Sequence, residues 1–324
     1  MKLRSTLWCT GVVLALALAA APGTAQAQSY PSQDIRLICA FPPGSGADVL
    51  VRYFAEKLRP IVNRTVIVEN KSGAGGNIAT EYVARAKPDG YTIYVHAATA
   101  VAANQHLFKK PPVDAAKAIQ IAASINRQPF MLVVDAKGPY KSVAELTQAV
   151  LKKGDKASYA TAAPTGQIMG EIYKNVTGIK AVDVNYKTAP DSLNEMLSGK
   201  LDYGMHDPVF SLAQEREGRL RILAVSTATR LEANPQMPTM TESGVPMDLT
   251  GWWAAMLPAA TPKPIIDQVN KWFTEIVKTE ESKKFLNSFG GDPFINSPEA
   301  AQELFLKSIK AWGDYVRIAK IEPQ

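Results

Sequence analysis

Phe41-Pro42-Pro43-Gly44-Ser45-Gly46-Ala47-Asp48 is the stretch on which the fold turns, because of what stands on either side of it. Before it, Ile35 to Phe41 is a short apolar run of the kind a buried strand uses, and Pro42-Pro43-Gly44 ends it. After it, Ala47 to Arg59 places Leu50, Phe54 and Leu58 at i, i+4 and i+8, the apolar stripe of a helix. Strand, glycine-rich loop and helix form the unit of an α/β protein. In open α/β sheets, ligands sit beyond the carboxyl ends of the strands. There the next helix presents unpaired N–H groups and the positive end of its dipole. The loop therefore predicts a site for negative oxygen, with glycine opening the backbone to a ligand and Ser45 adding a hydroxyl donor.

The unit repeats outward from this point. Thr65 to Val68 reads as a β-branched strand, Gly73-Ala74-Gly75-Gly76 as its loop, and Ile78, Tyr82 and Ala86 as one face of the next helix. Pro88-Asp89-Gly90 is a turn, and Tyr91 to Val95 a third strand. After a less regular stretch around Pro111-Pro112, strands are expected at Phe130–Val134, Ser158–Ala162, Val182–Tyr186, Leu201–Met205 and Leu220–Val225. Helices are expected at Val143–Lys153, along Ile168, Ile172 and Val176, and along Leu193 and Leu197. From Pro262 onward the chain reads as mainly helical. This alternation implies mostly parallel sheets covered on both faces. No low-complexity linker separates two units, so the chain is expected to cross between them near Gln128-Pro129 and again between Arg230 and Gly251.

A second loop, Ala163-Pro164-Thr165-Gly166-Gln167, combines glycine, hydroxyl and helix start in the other half of the chain. Residue types alone leave both loops open to a second reading as ordinary strand-to-helix turns. Other chemistries are excluded more firmly. Gly73–Gly76 lacks the third glycine of a dinucleotide fingerprint, since Ile78 stands there. Gly44-Ser45-Gly46 lacks the flanking residues of a nucleophile elbow. The three histidines, His96, His106 and His206, have no His or Cys at metal-ligand spacing. Asp207, at a strand end, is expected as a polar wall of the cleft, and Trp252-Trp253 as core or hinge packing.

Lys2 and Arg4, an apolar run from Leu7 to Ala21, and Ala25-Gln26-Ala27 have the order of a secretory signal peptide, with cleavage expected after about Ala27. The apolar run is roughly 15 residues, short of the ~20 of a spanning helix. Cys9 would leave with that segment, and Cys39 would then be alone in a strand core, behaving as a small hydrophobe. A chain of 324 residues can hold two domains on packing alone. Its net charge of +6, about +4 without Lys2 and Arg4, is spread without a basic block. Such a charge gives a modest attraction for anions and no sign of nucleic-acid binding.

Taken in order, several segments resemble the extracytoplasmic receptors of tripartite tricarboxylate transporters, the Bug family. They are Phe41-Pro42-Pro43-Gly44 with Asp48, Val68-Glu69-Asn70-Lys71-Ser72-Gly73-Ala74-Gly75-Gly76, Pro88-Asp89-Gly90-Tyr91-Thr92, Asn185-Tyr186-Lys187 and Leu223-Ala224-Val225-Ser226. Pro238-Thr239-Met240-Thr241-Glu242-Ser243-Gly244 and Pro258-Ala259-Ala260-Thr261-Pro262 complete the set. The resemblance implies an α/β, two-lobed periplasmic-binding-protein (Venus flytrap) fold, each lobe a mostly parallel sheet flanked by helices. Residues 28–127 with 251–324 would form one lobe and 128–250 the other. It further implies a ligand carboxylate held by backbone N–H groups of both glycine loops. The family's ligands are mostly di- and tricarboxylates, amino acids and aromatic acids.

The resulting expectation is a periplasmic receptor for a di- or tricarboxylate or an aromatic acid, without catalysis or cofactor, monomeric, and serving integral-membrane transporter subunits. Phe41, Gly44, Ser45 and Gly46 would supply one wall and Thr165, Gly166 and Gln167 the other. Thr99, Lys187, Thr188 and Asp207 would complete the lining, with Lys187 pairing a second ligand carboxylate. Asp48 is expected to cap its helix. The sequence departs from the family pattern at Ser45, at Pro164–Gln167 and at Thr188, and these positions are read as specificity determinants. A β-branched residue at Gly166 is expected to abolish binding and spare the fold. The alternatives are an exported enzyme using the same cleft and a ligand-loaded accessory to a membrane sensor kinase.

Overall fold

The computed structural model describes residues 30–323. The expected signal peptide, with Cys9, lies outside the described residues. The chain runs β1 (Ile35–Cys39), α1 (Gly46–Val62), β2 (Val66–Asn70), α2 (Asn77–Ala84), β3 (Thr92–Ala97), α3 (Ala98–Leu107), a short α4 (Ala115–Ala118) and β4 (Ile119–Gln128). It continues through β5 (Met131–Asp135), α5 (Val143–Lys153), β6 (Ser158–Thr161), α6 (Pro164–Thr177), β7 (Val182–Asn185), α7 (Ala189–Leu197), β8 (Tyr203–His206), α8 (Pro208–Arg216) and β9 (Leu220–Val225). The last part is β10 (Gly251–Pro258), α9 (Lys263–Val277), α10 (Glu280–Ser288), β11 (Asp292–Pro293) and α11 (Pro298–Ile318).

Two sheets result, in the orders β11-β4-β10-β3-β1-β2 and β7-β6-β8-β5-β9. Each has a parallel core, β2-β1-β3 in the first and β7-β6-β8 in the second. The remaining pairs are antiparallel, so the sheets are mixed and not mostly parallel. The crossings explain this. Only Pro129 and Phe130 separate β4 in the first sheet from β5 in the second. β5 therefore enters the second sheet from the end at which β6–β8 finish, and must run against β8. β10 re-enters the first sheet in the same way and runs against β3 and β4.

Packing follows local sequence where the apolar stripe is strong. In α1, Leu50, Val51, Phe54 and Leu58 are buried. The Phe54 ring stacks on Phe273 of α9 at 5.6 Å, a burial worth about 1.5–3 kcal/mol. Elsewhere glycines choose the buried face. A Cβ on Gly170 would lie 2.3 Å from the Tyr159 ring, so α6 presses its Gly166–Gly170–Tyr173 side onto the sheet. Val176 is consequently exposed, although Ile168 is buried as expected. Gly76 approaches His96 closely, which turns α2 to bury Ala79, Thr80 and Val83 and leaves Ile78 exposed. Trp312 and Val316 of α11 belong to one apolar cluster with Tyr94 of the first sheet and Tyr173 and Met205 of the second lobe's side.

Candidate functional site

The first loop is organised by its capping residues. Ser45 is the N-cap of α1: its Oγ accepts from the Asp48 N–H at 3.2 Å and donates to the Pro42 carbonyl at 2.8 Å. That hydroxyl is thus committed within the loop. The buried Asp48 carboxylate accepts from the Gly44 N–H at 2.8 Å, from Arg52 Nε at 2.8 Å and from Asn70 Nδ2 at 2.7 Å. Burial alone would raise its pKa, but the bonds from Arg52, Asn70 and Gly44 hold it below the usual carboxylate value. Asp48 is a cap, as expected, and not a free acceptor. Gly46 and Ala47, in the first turn of α1, keep their N–H groups unpaired among the described residues.

The second loop is built differently. The N-cap of α6 is Ala163, which offers no side-chain acceptor, and Pro164 at the first position has no N–H to satisfy. The N–H groups of Thr165 and Gly166 remain unpaired among the described residues, whereas Gln167 bonds back to the Ala163 carbonyl at 3.2 Å. The Gln167 side chain donates through Nε2 to Asp183 at 3.2 Å, and Thr161 Oγ1 donates to the same carboxylate at 2.7 Å. Desolvation raises the Asp183 pKa, with the Thr161 and Gln167 bonds opposing it.

The β8–α8 turn stands between these loops. A Cβ on Gly166 would lie 2.5 Å from the Met205 carbonyl oxygen, and a Cβ on Gly46 would lie 3.4 Å from Val209 Cγ1. Met205 and Val209 are four residues apart, so the two helix starts, one from each sheet's helices, pack against the two ends of one short turn. This contact also corrects an expectation. Gly166 packs on backbone, so a β-branched residue there disturbs the fold itself. Asp207, in the turn, caps α8 by accepting from the Phe210 N–H at 3.0 Å, and desolvation raises its pKa. Neighbouring His206 is buried beside Ser192, at 3.1 Å, and burial lowers its pKa to about 4.

Phe41 ends the first strand with its ring half-buried, 5.1 Å from the His96 ring and 6.1 Å from Trp253. Thr99 lies in the first turn of α3, its Oγ1 3.8 Å from where a Gly251 Cβ would stand. Lys187 and Thr188 are exposed. Thr188 is the N-cap of α7, and its N–H donates to Asp191 at 3.1 Å. No hydrogen bond or ion pair among the described residues joins either to the two glycine loops.

Val209, Asp183 and Phe289, whose ring lies 3.8 Å from a Gly46 Cβ, were not singled out in the sequence. One signal was present: Asp207-Pro208, an N-cap acid followed by proline at the first helical position, marks a helix start opposite the first loop.

Residues 50–320 match the tripartite tricarboxylate transporter family receptor. The chain belongs to that family. This receptor is 30% identical to a UPF0065 protein of Bordetella bronchiseptica, over 99% of its own length and 95% of the other's. It is similar in structure to R. palustris Rpa4515 with adipate, at TM-score 0.81 and 27% identity, over 91% of this chain and 100% of that one. It is also similar to the periplasmic binding protein BugD, at TM-score 0.76 and 28% identity with the same coverage. The two-lobed α/β receptor fold is therefore that of the family.

The lobes touch beyond the loops. A Cβ on Gly290 would lie 2.7 Å from Pro208 and from Leu212 of α8, and Arg216 donates to the Ser288 carbonyl at 3.1 Å. Asp292 of β11 accepts from the Glu232 and Ala233 N–H groups at 2.9 and 2.8 Å.

Proposed function

We propose that the chain is a periplasmic solute receptor that captures a small carboxylate and delivers it to integral-membrane subunits of a tripartite tricarboxylate-type transporter. Residues 28–127 with 251–324 and residues 128–250 act as the two lobes, closing by a hinge at the paired crossings. Residues 1–27 direct export and are removed. The carboxylate rests on the Gly46 and Ala47 N–H groups from one side and on those of Thr165 and Gly166 from the other. The observation that carries the reading is that these two unsatisfied helix starts, one from each lobe, pack against the two ends of the β8–α8 turn. Adipate in the structure of Rpa4515 supports the carboxylate class.

The reading is tested by thermal unfolding of protein that has been denatured and refolded to strip co-purified solute. A carboxylate at roughly 100 times its dissociation constant adds about 2.7 kcal/mol of stability. The melt should rise with one carboxylate class, and the solute should be recovered unchanged. A consumed solute would instead identify an enzyme, and a flat response to every carboxylate would remove the receptor reading.

A further inference from the structure

Charge in residues 128–250 is segregated, and its basic part lies at the end of the second sheet remote from the crossings. The segment carries 13 Lys and Arg against 14 Asp and Glu, so as a whole it is not basic. We propose that this remote end is a membrane-contact face, which docks on the anionic headgroups of a lipid bilayer. The inference does not depend on what the cleft binds.

Topology brings the face together. β6, β7 and β8 are parallel and start at this end. β5, antiparallel to β8 and β9, finishes here, and β9 starts here. The Val182 N–H donates to the Ala157 carbonyl at 2.8 Å, the Asp202 N–H to that of Ser158 at 2.9 Å, and the Ala136 N–H to that of Arg219 at 2.9 Å. The five strand ends therefore form one row about 19 Å across.

Lysines stand along the row: Lys180 before β7, Lys156 before β6, Lys200 before β8 and Lys137 after β5. Lys141 and Lys152 flank them, one before α5 and one in its last turn. All six are exposed, and none has an ion-pair partner among the described residues. The neighbouring acids are mostly engaged. Asp202 pairs with Lys153 at 2.8 Å and Glu217 with Arg219, while Asp135 and Glu145 accept from the Lys137 and Lys141 N–H groups. Attraction to a helix C-terminus accounts for Lys152. Lys180 and Lys200 stand beyond the last turns of α6 and α7, where that attraction has faded, and Lys137 follows a strand.

Aliphatic side chains are set among the lysines. Leu151, Val176, Val182 and Leu197 are each between 36% and 53% exposed. Lysine with scattered aliphatic tips and no exposed aromatic ring makes a poor protein interface, where Arg, Tyr and Trp are enriched and Lys is depleted. The same mixture suits a headgroup layer, in which ammonium groups meet phosphate and aliphatic tips reach the acyl boundary. Docked in this way, the protein stays beside the membrane, and the end of the sheet with the second glycine loop faces away from the lipid.

Flotation of the mature protein, from Gln28, with vesicles of phosphatidylglycerol and phosphatidylethanolamine in equal parts tests this. At about 0.1 M salt the protein should bind these vesicles and not those of phosphatidylcholine. It should be released at about 1 M salt, where the Debye length is ~3 Å. Lys156→Gln, Lys180→Gln and Lys200→Gln together should lower the partition coefficient about hundredfold, at about fivefold per lysine. The same charge removed elsewhere, by Lys109→Gln, Lys110→Gln and Lys278→Gln, should lower it less than about threefold. Leu151→Ser with Val182→Ser should lower it about tenfold. All these side chains are exposed, so the melting temperatures should stay near wild type. Failure to bind the anionic vesicles, equal binding to phosphatidylcholine, or equal losses in the two lysine triples overturns the inference and leaves the receptor reading standing. An unchanged coefficient in the Leu151 and Val182 pair likewise contradicts contact of this face with the bilayer.

Discussion

At the first glycine loop, Asp48 gathers donors from Gly44, Arg52 and Asn70, and Ser45 closes the N-cap, so side chains hold the backbone in place. At the second, no side chain caps α6, and the helix start is positioned by Gly166 and Gly170 lying directly on Met205 and Tyr159. Both leave two N–H groups without a hydrogen-bond partner among the described residues, and both pack against the β8–α8 segment. A polar network and a steric fit are thus alternative ways to fix a helix start, and they fail differently. The network weakens by degrees as its members are removed, whereas the fit has no room for a first methyl group.

The largest effect is expected where shape alone holds the loop. Gly166→Val drives a side chain into the Met205 carbonyl, already 2.5 Å from a Cβ. The variant should lose about 2–4 kcal/mol in urea unfolding. A stability within error of wild type would show that α6 shifts freely and that steric fit does not define the loop.

Next comes the polar network. Asp48→Asn keeps the shape but removes the charge that pairs with half-exposed Arg52, and should cost about 2 kcal/mol. The pH dependence carries the same information. The Asp48 pKa is lower in the folded state than in the unfolded chain. Its contribution is therefore complete above about pH 4 and is lost as pH falls through the folded value. Unfolding curves of wild type and Asp48→Asn should converge below that value. If the gap between them persists at low pH, the charge of Asp48 is not what stabilises the loop.

Ser45→Ala should have the smallest of these effects, about 1 kcal/mol for a lost N-cap. Because the hydroxyl already donates to Pro42, ligand affinity should change little once folding is accounted for. A large loss of affinity with normal stability would place the hydroxyl on the ligand.

How much of this was legible in the sequence depends on how local its cause is. The strand-loop-helix unit at Ile35–Val62 and the helix-turn-strand unit at Val143–Thr161 were readable because each carries its own apolar period and turn residues. α3 was not, since Ala98-Thr99-Ala100-Val101-Ala102-Ala103 has small residues on every face and is buried on several. β10 was missed for a related reason: Gly251–Pro258 lies between β3 and β4, is buried on both faces and shows no alternation. α11, packed beside α3, supplies the cover that its composition does not announce. At the site, Asp48 as a cap was readable from its place in the first helical turn. The packing role of Gly166 was not, because Met205 lies far along the chain. Val209 was likewise invisible beside Gly46 until the two sheets were placed.

The most direct measurement is of the Gly46 and Gly166 amide resonances by 15N–1H spectroscopy during titration with the carboxylate that raises the melting temperature. Both amides should shift downfield together and saturate at one equivalent, because one carboxylate bridges both helix starts. Movement of only one of them, or of neither while the ligand binds, would contradict a clamp formed by the two loops.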